Sequence, residues 1–578
     1  MAKRNTDKMT ISSATKRNWQ KLAPNLGDKL KSRANKSRSQ KTFIPLERIQ
    51  NKDSVPFIES LFALRERFSI AQIMHALCLN AIDKSRAKEP LARRFLDEYP
   101  RVSDLTIVLP DNFDKESDLL GTIYQSLLSE GDKNIRGSYY TTQKTARLML
   151  QELDISSGEK FLDPCCGSGI FLLEAARLGC SVVGNDIDPI AVMIAKANLI
   201  AQNPEALHYP DVRLLNFLNP EERKQIEDIG PFDASASNPP WGGEARTVFN
   251  ETASEFFFAA FDLLKKGGKQ NFLLPSSLLN VAKHRRFRES ALKEGRILQI
   301  RVFSERFTGV QTNFVSFLYQ KSAPAEPVRF VRSDGKTTDI PLHSFELTAH
   351  KTFLPVSREA LELLNQVKKK GTLSLVNSRW GLGIVTGNNQ TCLKTEQTDE
   401  LEPIYTGKEI QPYRLSAPKR FIRFTPQNFQ QCAPEALFRT SPKLLYKFIG
   451  SKLVFAIDNE RSLALNSANI LIPDVEGLSI YSVMGLLNSP LFNALHRMLF
   501  KEIKILKGNL CQLPLPRLSP EEDTALTEAV KAAIENPDRE DTVNRLIEDL
   551  YELTPQQRLL IQSIFQDNLW NPGNRQAL

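Results

Sequence analysis

Four consecutive residues, Asn238-Pro239-Pro240-Trp241, carry the strongest chemical signal in the chain. Two prolines in succession fix the backbone and remove two N–H donors, so carbonyl groups and the Asn238 amide are left to face a substrate amine. The Trp241 ring adds a flat face on which a planar base can stack. A second cluster lies upstream in Phe161-Leu-Asp-Pro-Cys-Cys-Gly-Ser-Gly-Ile-Phe171. Its glycines, Gly167 and Gly169, let the backbone approach a ligand closely, and the helix that follows offers its N-terminus to an anionic group. This is not the G-x-G-x-x-G dinucleotide fingerprint, because position 172 is Leu, and Gly335-Lys336-Thr337 is no phosphate loop, because Phe330 stands where its first glycine is required. Nineteen residues after Gly167 comes Asp186, at the end of an apolar strand, where a carboxylate can accept hydrogen bonds from both hydroxyls of a ribose.

These positions need elements to hold them. Short apolar strands are expected at 160–162, 181–184, 212–215, 233–237, 270–274 and 315–319, alternating with helical stretches. That spacing predicts an α/β fold built on a doubly wound, Rossmann-like parallel sheet, in which Asn238 falls at the carboxyl edge where such sheets place their sites. Upstream, Phe57, Leu61, Leu64, Phe68, Ile70 and Ile73 recur at helical spacing and predict a small helical module, and 119–128 predicts one more helix. Beyond residue 330 the pattern turns to short strands and loops, and an acidic helical segment follows from Ser519.

Composition bounds the function. A chain of 578 residues implies about three to five domains. With 41% apolar and 25% charged residues it is an ordinary globular composition. The most apolar stretch, Phe256 to Leu264, is about half the length that spans a bilayer, so no integral membrane protein is expected. Seven cysteines without a C-x-x-C pair argue against a disulfide scaffold or a zinc ribbon and for a reducing compartment, and the six histidines show no metal-ligand spacing, so no metal is expected. Residues 1–41 hold 12 Lys and Arg against two acids, a net of +10, whereas the segment beyond residue 520 has a net of −7. The basic arm lacks the apolar core of a secretory signal and suits a disordered tail that binds a polyanion, a solubilising tail or, less readily, a transit peptide.

In this order the motifs resemble the gamma-class S-adenosylmethionine-dependent DNA amino-methyltransferases of restriction-modification systems, the TaqI-like and Eco57I-like branch. Gly137-Ser-Tyr-Tyr-Thr-Thr142 resembles the segment that caps the methionine end of the cofactor, Asp163 to Gly169 the cofactor loop, Asp186 the ribose acid and Asn238 to Trp241 the catalytic tetrapeptide. Phe303 to Val310 resembles the motif whose aromatic ring, here Phe307, packs on the second face of a flipped base. Further on, Gly383 to Gly387, Tyr405 to Ile410, Asn466 to Asn469, Leu486 to Ser489 and Leu513 to Pro516 resemble phrases of the family's target-recognition domain. The resemblance covers about residues 119–560 and implies S-adenosyl-L-methionine as cofactor, held by Tyr140, Thr141, Asp163, Cys165, Gly167, Gly169, Asp186, Asn216 and Phe217. It implies Asn238, Pro239, Pro240, Trp241 and Phe307 as the catalytic set. Two positions depart from the family pattern: Thr142 replaces a proline, and Asn216 stands where an acid is expected to bond the adenine amine.

The implied organisation is a basic disordered arm (1–42), a helical module (43–118), the methyltransferase catalytic domain (119–330), a linker (331–369), a mixed α+β DNA target-recognition domain (370–516) and an acidic helical tail (517–578). The implied reaction is transfer of a methyl group to N6 of adenine in duplex DNA. That nitrogen is a poor nucleophile because its lone pair is delocalised, so two acceptors, the Asn238 side-chain oxygen and the Pro239 carbonyl, are needed to aim it at the methyl group. The base must first leave the duplex, at a cost of a few kcal/mol. Partners expected are double-stranded DNA and a restriction endonuclease on a separate chain, with a monomeric enzyme in a prokaryotic cytoplasm, acting at the nucleoid. An RNA or protein amino-methyltransferase of the same fold, or a modification subunit that borrows specificity from a partner, remain alternative readings. His284-Arg-Arg-Phe-Arg288 fits phosphate contacts and a solvated helix start equally well, and Lys368 to Lys370 marks a domain boundary. Cys165 and Cys166 read as small side chains in a tight loop rather than as nucleophiles.

Overall fold

The computed structural model describes residues 42, 44–45, 49, 54–101, 103–110, 118–129, 141–241, 248–249, 251–303, 314–348, 350–353, 357–500 and 504–566. The basic arm, Tyr140 and Phe307 lie outside the described residues. Two compact units are formed, one spanning Lys31–Phe353 and the other containing Leu354–Leu578. Among the described residues no helix is long and apolar enough to cross a membrane.

The first unit opens with helices α1 (Ser54–Leu64), α2 (Ile70–Ser85), α3 (Glu89–Glu98), α4 (Leu119–Leu127) and α5 (Gln143–Leu153). An alternation follows: β1 (Lys160–Asp163), α6 (Ile170–Arg177), β2 (Ser181–Asp186), α7 (Pro189–Gln202), β3 (Asp211–Leu214), α8 (Pro220–Glu227), β4 (Phe232–Ser237), α9 (Thr252–Asp262) and β5 (Leu264–Pro275). It closes with α10 (Arg285–Glu294), β6 (Arg296–Val302), β7 (Phe314–Gln320), β8 (Val328–Val331) and β9 (Thr337–Ile340). The strands make one nine-stranded sheet in the order β3-β2-β1-β4-β5-β7-β6-β8-β9.

The first five strands in that order are parallel, with Phe161 level with Val182 on one side and Ala234 on the other. The chain leaves β1 toward one edge and returns through β4 on its other side, which opens a crevice at the carboxyl ends of β1 and β4. Beyond β5 the doubly wound parallel sheet is extended by an antiparallel strand, β7, which runs opposite to both β5 and β6. Strands β6, β8 and β9 were not among those expected from hydropathy. Strand β6 escapes it because Gln299 and Arg301 interrupt the apolar run, and the fold satisfies both from Glu152 on α5.

Local chemistry sets the element ends. Asp188 caps α7, accepting from Ile190 N at 3.0 Å with Pro189 in the first turn, and Asn219 caps α8 in the same manner. Thr142, the departure from the family proline, caps α5 by accepting from Thr145 N at 3.3 Å. The N-terminal helices share one apolar core with α7: Ile73, Leu77, Leu120, Ile123 and Leu127 cluster with Met193, Ile194, Ala197 and Ile200.

The second unit begins with α11 (Arg358–Lys370), whose Ala360, Leu361, Leu363, Leu364 and Val367 are buried. It contains a four-stranded antiparallel sheet built from 379–381, 468–472, 443–447 and 455–458 in that order, a three-stranded and a two-stranded sheet. A buried ion pair, Lys443 to Asp458, sits in the larger sheet, with Lys443 Nζ also donating to Phe438 O at 2.6 Å and Asp458 accepting from Ser462 N at 2.9 Å. The phrases that carried the recognition-domain resemblance meet here. Asn469 Oδ1 accepts from Gly383 N at 3.2 Å, Ser467 Oγ accepts from Gly407 N at 3.1 Å, and Asn488 Oδ1 accepts from Phe455 N at 2.9 Å. A side chain at Gly383 would place its Cβ 2.1 Å from Leu465 O, so glycine is required there. These residues frame the domain. The acidic C-terminal helices, Pro520–Glu535 and Glu540–Leu550, bury Leu526, Val530, Ala533, Val543 and Ile547.

Candidate active site

A cavity of about 560 Å³ opens at the carboxyl ends of β1, β2 and β4, within the range of small-molecule sites. Thr141, Asp163, Cys165, Gly167, Asp186, Asn216, Phe217, Asn238 and Pro240 line it, so most of the residues expected to hold cofactor or substrate are brought together. Gly169, Pro239 and Trp241 do not line it. Gly169 instead has φ +91° and caps α6, where a side chain would press on Ala195 of α7 at 3.2 Å.

The glycine turn and the second strand are locked together by Asp186. Its carboxylate accepts from Gly167 N at 2.8 Å and from Asp188 N at 2.9 Å, which holds it at the cavity wall. Removal from bulk water raises its pKa, opposed by these backbone bonds. Ile187, next in sequence, is 70% exposed beside the cavity and presents an apolar surface to a planar ring. Phe217 stacks on Phe256 with centroids 5.8 Å apart and planes 8° apart, both lining the same cavity. Asn216 Oδ1 accepts from Leu218 N at 3.2 Å, which fixes the side chain while leaving the oxygen a second lone pair.

Asp163 is 1% exposed at the floor. One carboxylate oxygen accepts from Ser237 Oγ at 2.6 Å and Cys165 N at 3.3 Å, while Oδ2 has no hydrogen-bond partner among the described residues. Burial pushes its pKa up to about 7, against the two hydrogen bonds and with a smaller push from Asp186. With the Ser237 proton engaged by Asp163, the Cys165 thiol donates to Ser237 Oγ at 2.9 Å. Burial raises that thiol well above its ordinary range, so it stays protonated and is no nucleophile. Among the described residues no cluster of His, Cys, Asp or Glu could hold a metal ion.

Asn238 and Pro240 are half-buried and Pro239 is buried at the end of β4. Trp241 leans on Phe314, centroids 6.1 Å apart, and its Nε1 donates to Leu273 O at 3.4 Å, so the ring is steadied by β5 and β7 while remaining half-exposed.

Several supporting residues escaped the motif reading. Asp118, at the head of α4, accepts from Gly121 N at 3.0 Å, from Asn198 Nδ2 at 2.9 Å and from Ser168 Oγ in the glycine turn. Tyr124 OH donates to Asp188 at 2.5 Å. These partners are brought together only by folding, so spacing carries no sign of them; the one visible cue is Gly121 inside an apolar helix. Gly121→Ala would set a Cβ 2.2 Å from Ser168 Oγ and 2.4 Å from Asp118 Oδ2. Alanine's helix propensity gains about 1 kcal/mol, yet overpacking and the broken buried hydrogen bond cost about 1–3 kcal/mol each. A lower melting temperature and weaker cofactor binding are expected, with Gly508→Ala, where the new Cβ meets open space, as the neutral control in the same thermal scan.

Comparison with known proteins identifies the family of this chain. The N-6 DNA Methylase family model matches residues 115–292, and the TaqI-like C-terminal specificity domain model matches residues 402–515. The Type II methyltransferase M.VspI of Vibrio sp. (strain 343) is 30% identical over 311 residues, covering 50% of this chain and 74% of that protein. The Type I restriction enzyme MjaIX methylase subunit of Methanocaldococcus jannaschii is 31% identical over 145 residues, but the match covers only 22% of this chain and 24% of the subunit. Among solved structures, the type IIG restriction endonuclease BpuSI aligns at TM-score 0.41 and 12% identity, covering 87% of this chain and 80% of that one. With 74% of a 30%-identical methyltransferase covered and both family models matched in order, the chain belongs to the gamma-class N6-adenine DNA methyltransferases of restriction-modification systems.

Proposed function

We propose that this chain transfers a methyl group from S-adenosyl-L-methionine to N6 of an adenine rotated out of duplex DNA, at a short sequence chosen by the second unit. The observation that supports it most is the placement of Asn238 on the wall of the cavity that also holds Asp186 and the glycine turn. The donor set fits the cofactor. Asp186 suits a ribose diol, Ile187 and Phe217 suit a purine face, and Asp163 offers a buried, unpartnered carboxylate oxygen to a cationic group. When bound, S-adenosyl-L-methionine supplies a methyl group already activated on a sulfonium.

The chain does the rest by orientation. The Asn238 side-chain oxygen and the Pro239 carbonyl accept from the two N–H bonds of the adenine amine, drawing the nitrogen toward tetrahedral geometry with its lone pair facing the cavity. The methylated nitrogen carries a positive charge and loses its proton readily, so no strong base is needed at Asn238. Trp241 stacks on one face of the extruded base, returning about 1–3 kcal/mol toward the cost of flipping, and the family resemblance assigns the same role on the other face to Phe307. Labelled S-adenosylmethionine, offered in parallel to unmethylated duplex DNA, RNA and protein extract, tests the reading. Label recovered as N6-methyladenine at one motif is expected; label confined to RNA or protein would overturn the substrate.

A further inference from the structure

The basic stretch 283–288 follows β5, the strand whose end lies beside Asn238. Ser237 is level with Phe272, and Trp241 reaches Leu273 O. Folding divides this stretch in two. Arg288 is fully buried and donates to Leu278 O at 2.7 Å, to Val281 O at 3.0 Å and twice to His350 O at 2.9 and 2.8 Å. His284 is also buried, and burial holds its imidazole down at about 4, so it is uncharged near neutrality. Phe287 packs edge-on against Phe257 and Phe317. The inward half is thus a staple that fixes the turn.

Lys283, Arg285 and Arg286 stand exposed on the outside of that fixed turn. Arg285 pairs with Glu289 at 2.7 Å. Arg286 Nη1 donates to Val248 O at 3.1 Å, in the segment that follows Trp241. Among the described residues neither Lys283 nor Arg286 forms an ion pair. A pair of uncompensated cations is therefore displayed on a rigid frame at the edge where the target base must enter.

We propose that Lys283 and Arg286 form a phosphate clamp that grips the DNA backbone beside the flipped adenine. The proposal rests on the DNA reading above. Duplex DNA carries one charge per about 1.7 Å of axis, so any backbone drawn to this edge brings phosphates within reach, and each neutralised phosphate releases condensed counterions. Because Arg288 has already ordered the turn, the backbone of this stretch is fixed before binding and only the two side chains remain to be ordered on the phosphates.

The test is duplex DNA binding by the full chain and by Lys283→Ala/Arg286→Ala across a salt series, using an oligonucleotide that carries the methylated motif. Each lost phosphate contact should reduce the slope of log K against log salt by about 0.9. The double variant should therefore lose close to two units of slope and bind roughly 10- to 60-fold more weakly at 0.1 M salt. The methylated motif, the affinity for S-adenosylhomocysteine and the melting temperature should match the parent. Each single variant should lose about one unit of slope, which keeps the test open if the double variant folds poorly. A wild-type salt slope in the variants would overturn the clamp alone, whereas failure of the parent itself to bind duplex DNA would overturn the DNA reading on which it rests.

Discussion

Asn238→Ala should lower methyl transfer by roughly two to three orders of magnitude, the scale of removing one pre-aimed hydrogen-bonding group from a reaction centre. Affinity for the cofactor product should change little. The separation follows from the division of labour around the cavity. Asp186, Gly167 and Asp163 are held by backbone and Ser237 bonds that do not pass through the Asn238 side chain. Prolines on its C-terminal side keep the strand end in place after truncation. The loss should therefore appear in kcat at saturating DNA and cofactor, measured by single-turnover methylation, with S-adenosylhomocysteine binding within about threefold of the parent as a check on folding. Asn238→Asp retains an acceptor oxygen at the same reach and should recover part of the rate. Near-parental single-turnover rates for the alanine variant would remove Asn238 from the mechanism.

Cofactor binding should tighten as pH rises through about 7, with a proton released per molecule bound below that value and none well above it. The cause is Asp163, whose carboxyl is pushed up to about 7 chiefly by burial. The sign follows from the two protonation states. Below that value the group is neutral and offers a cationic ligand no charge, so binding must first strip a proton; above it the carboxylate is already formed. If only the ionised form binds, the affinity rises about tenfold between pH 6 and pH 8, the ratio of ionised fractions on either side of the midpoint. Titration calorimetry with sinefungin, repeated in buffers of different ionisation enthalpy, reads both the affinity and the proton count. Asp163→Asn should abolish the proton release and flatten the pH dependence while binding more weakly at pH 8. Ser237→Ala removes a hydrogen bond that favours the carboxylate, so its midpoint should move upward. A pH-independent affinity in the parent would show that Asp163 does not titrate on binding.

Much of the catalytic unit was legible from neighbours in sequence. Apolar runs bounded by Gly, Pro and Asp located β1 to β5 and β7, and the glycine turn, Asp186 and Asn238 duly converge on one cavity. A strand's period of two and the torsional limits of Gly and Pro are local properties, so residue order suffices to reveal them. The same logic missed β6, where Gln299 and Arg301 look solvated in sequence but are satisfied by Glu152 in space. It also left His284 to Arg288 undivided, because nothing in a row of basic residues says that Arg288 turns inward to three carbonyls while Arg286 stays outside.

What the sequence determined by itself was the identity of the groups able to do chemistry and the strand ends that carry them, since both follow from residue type and short-range backbone geometry. What only tertiary structure decided was how those groups are supported and charged. Ser237 meets Asp163, and Asp118 meets Ser168 and Asn198, across long loops of chain. The height of the Asp163 pKa depends on the water that folding excludes. Burial and pairing are properties of the surroundings in three dimensions, and a carboxylate's charge state is set by those surroundings rather than by its place in the chain.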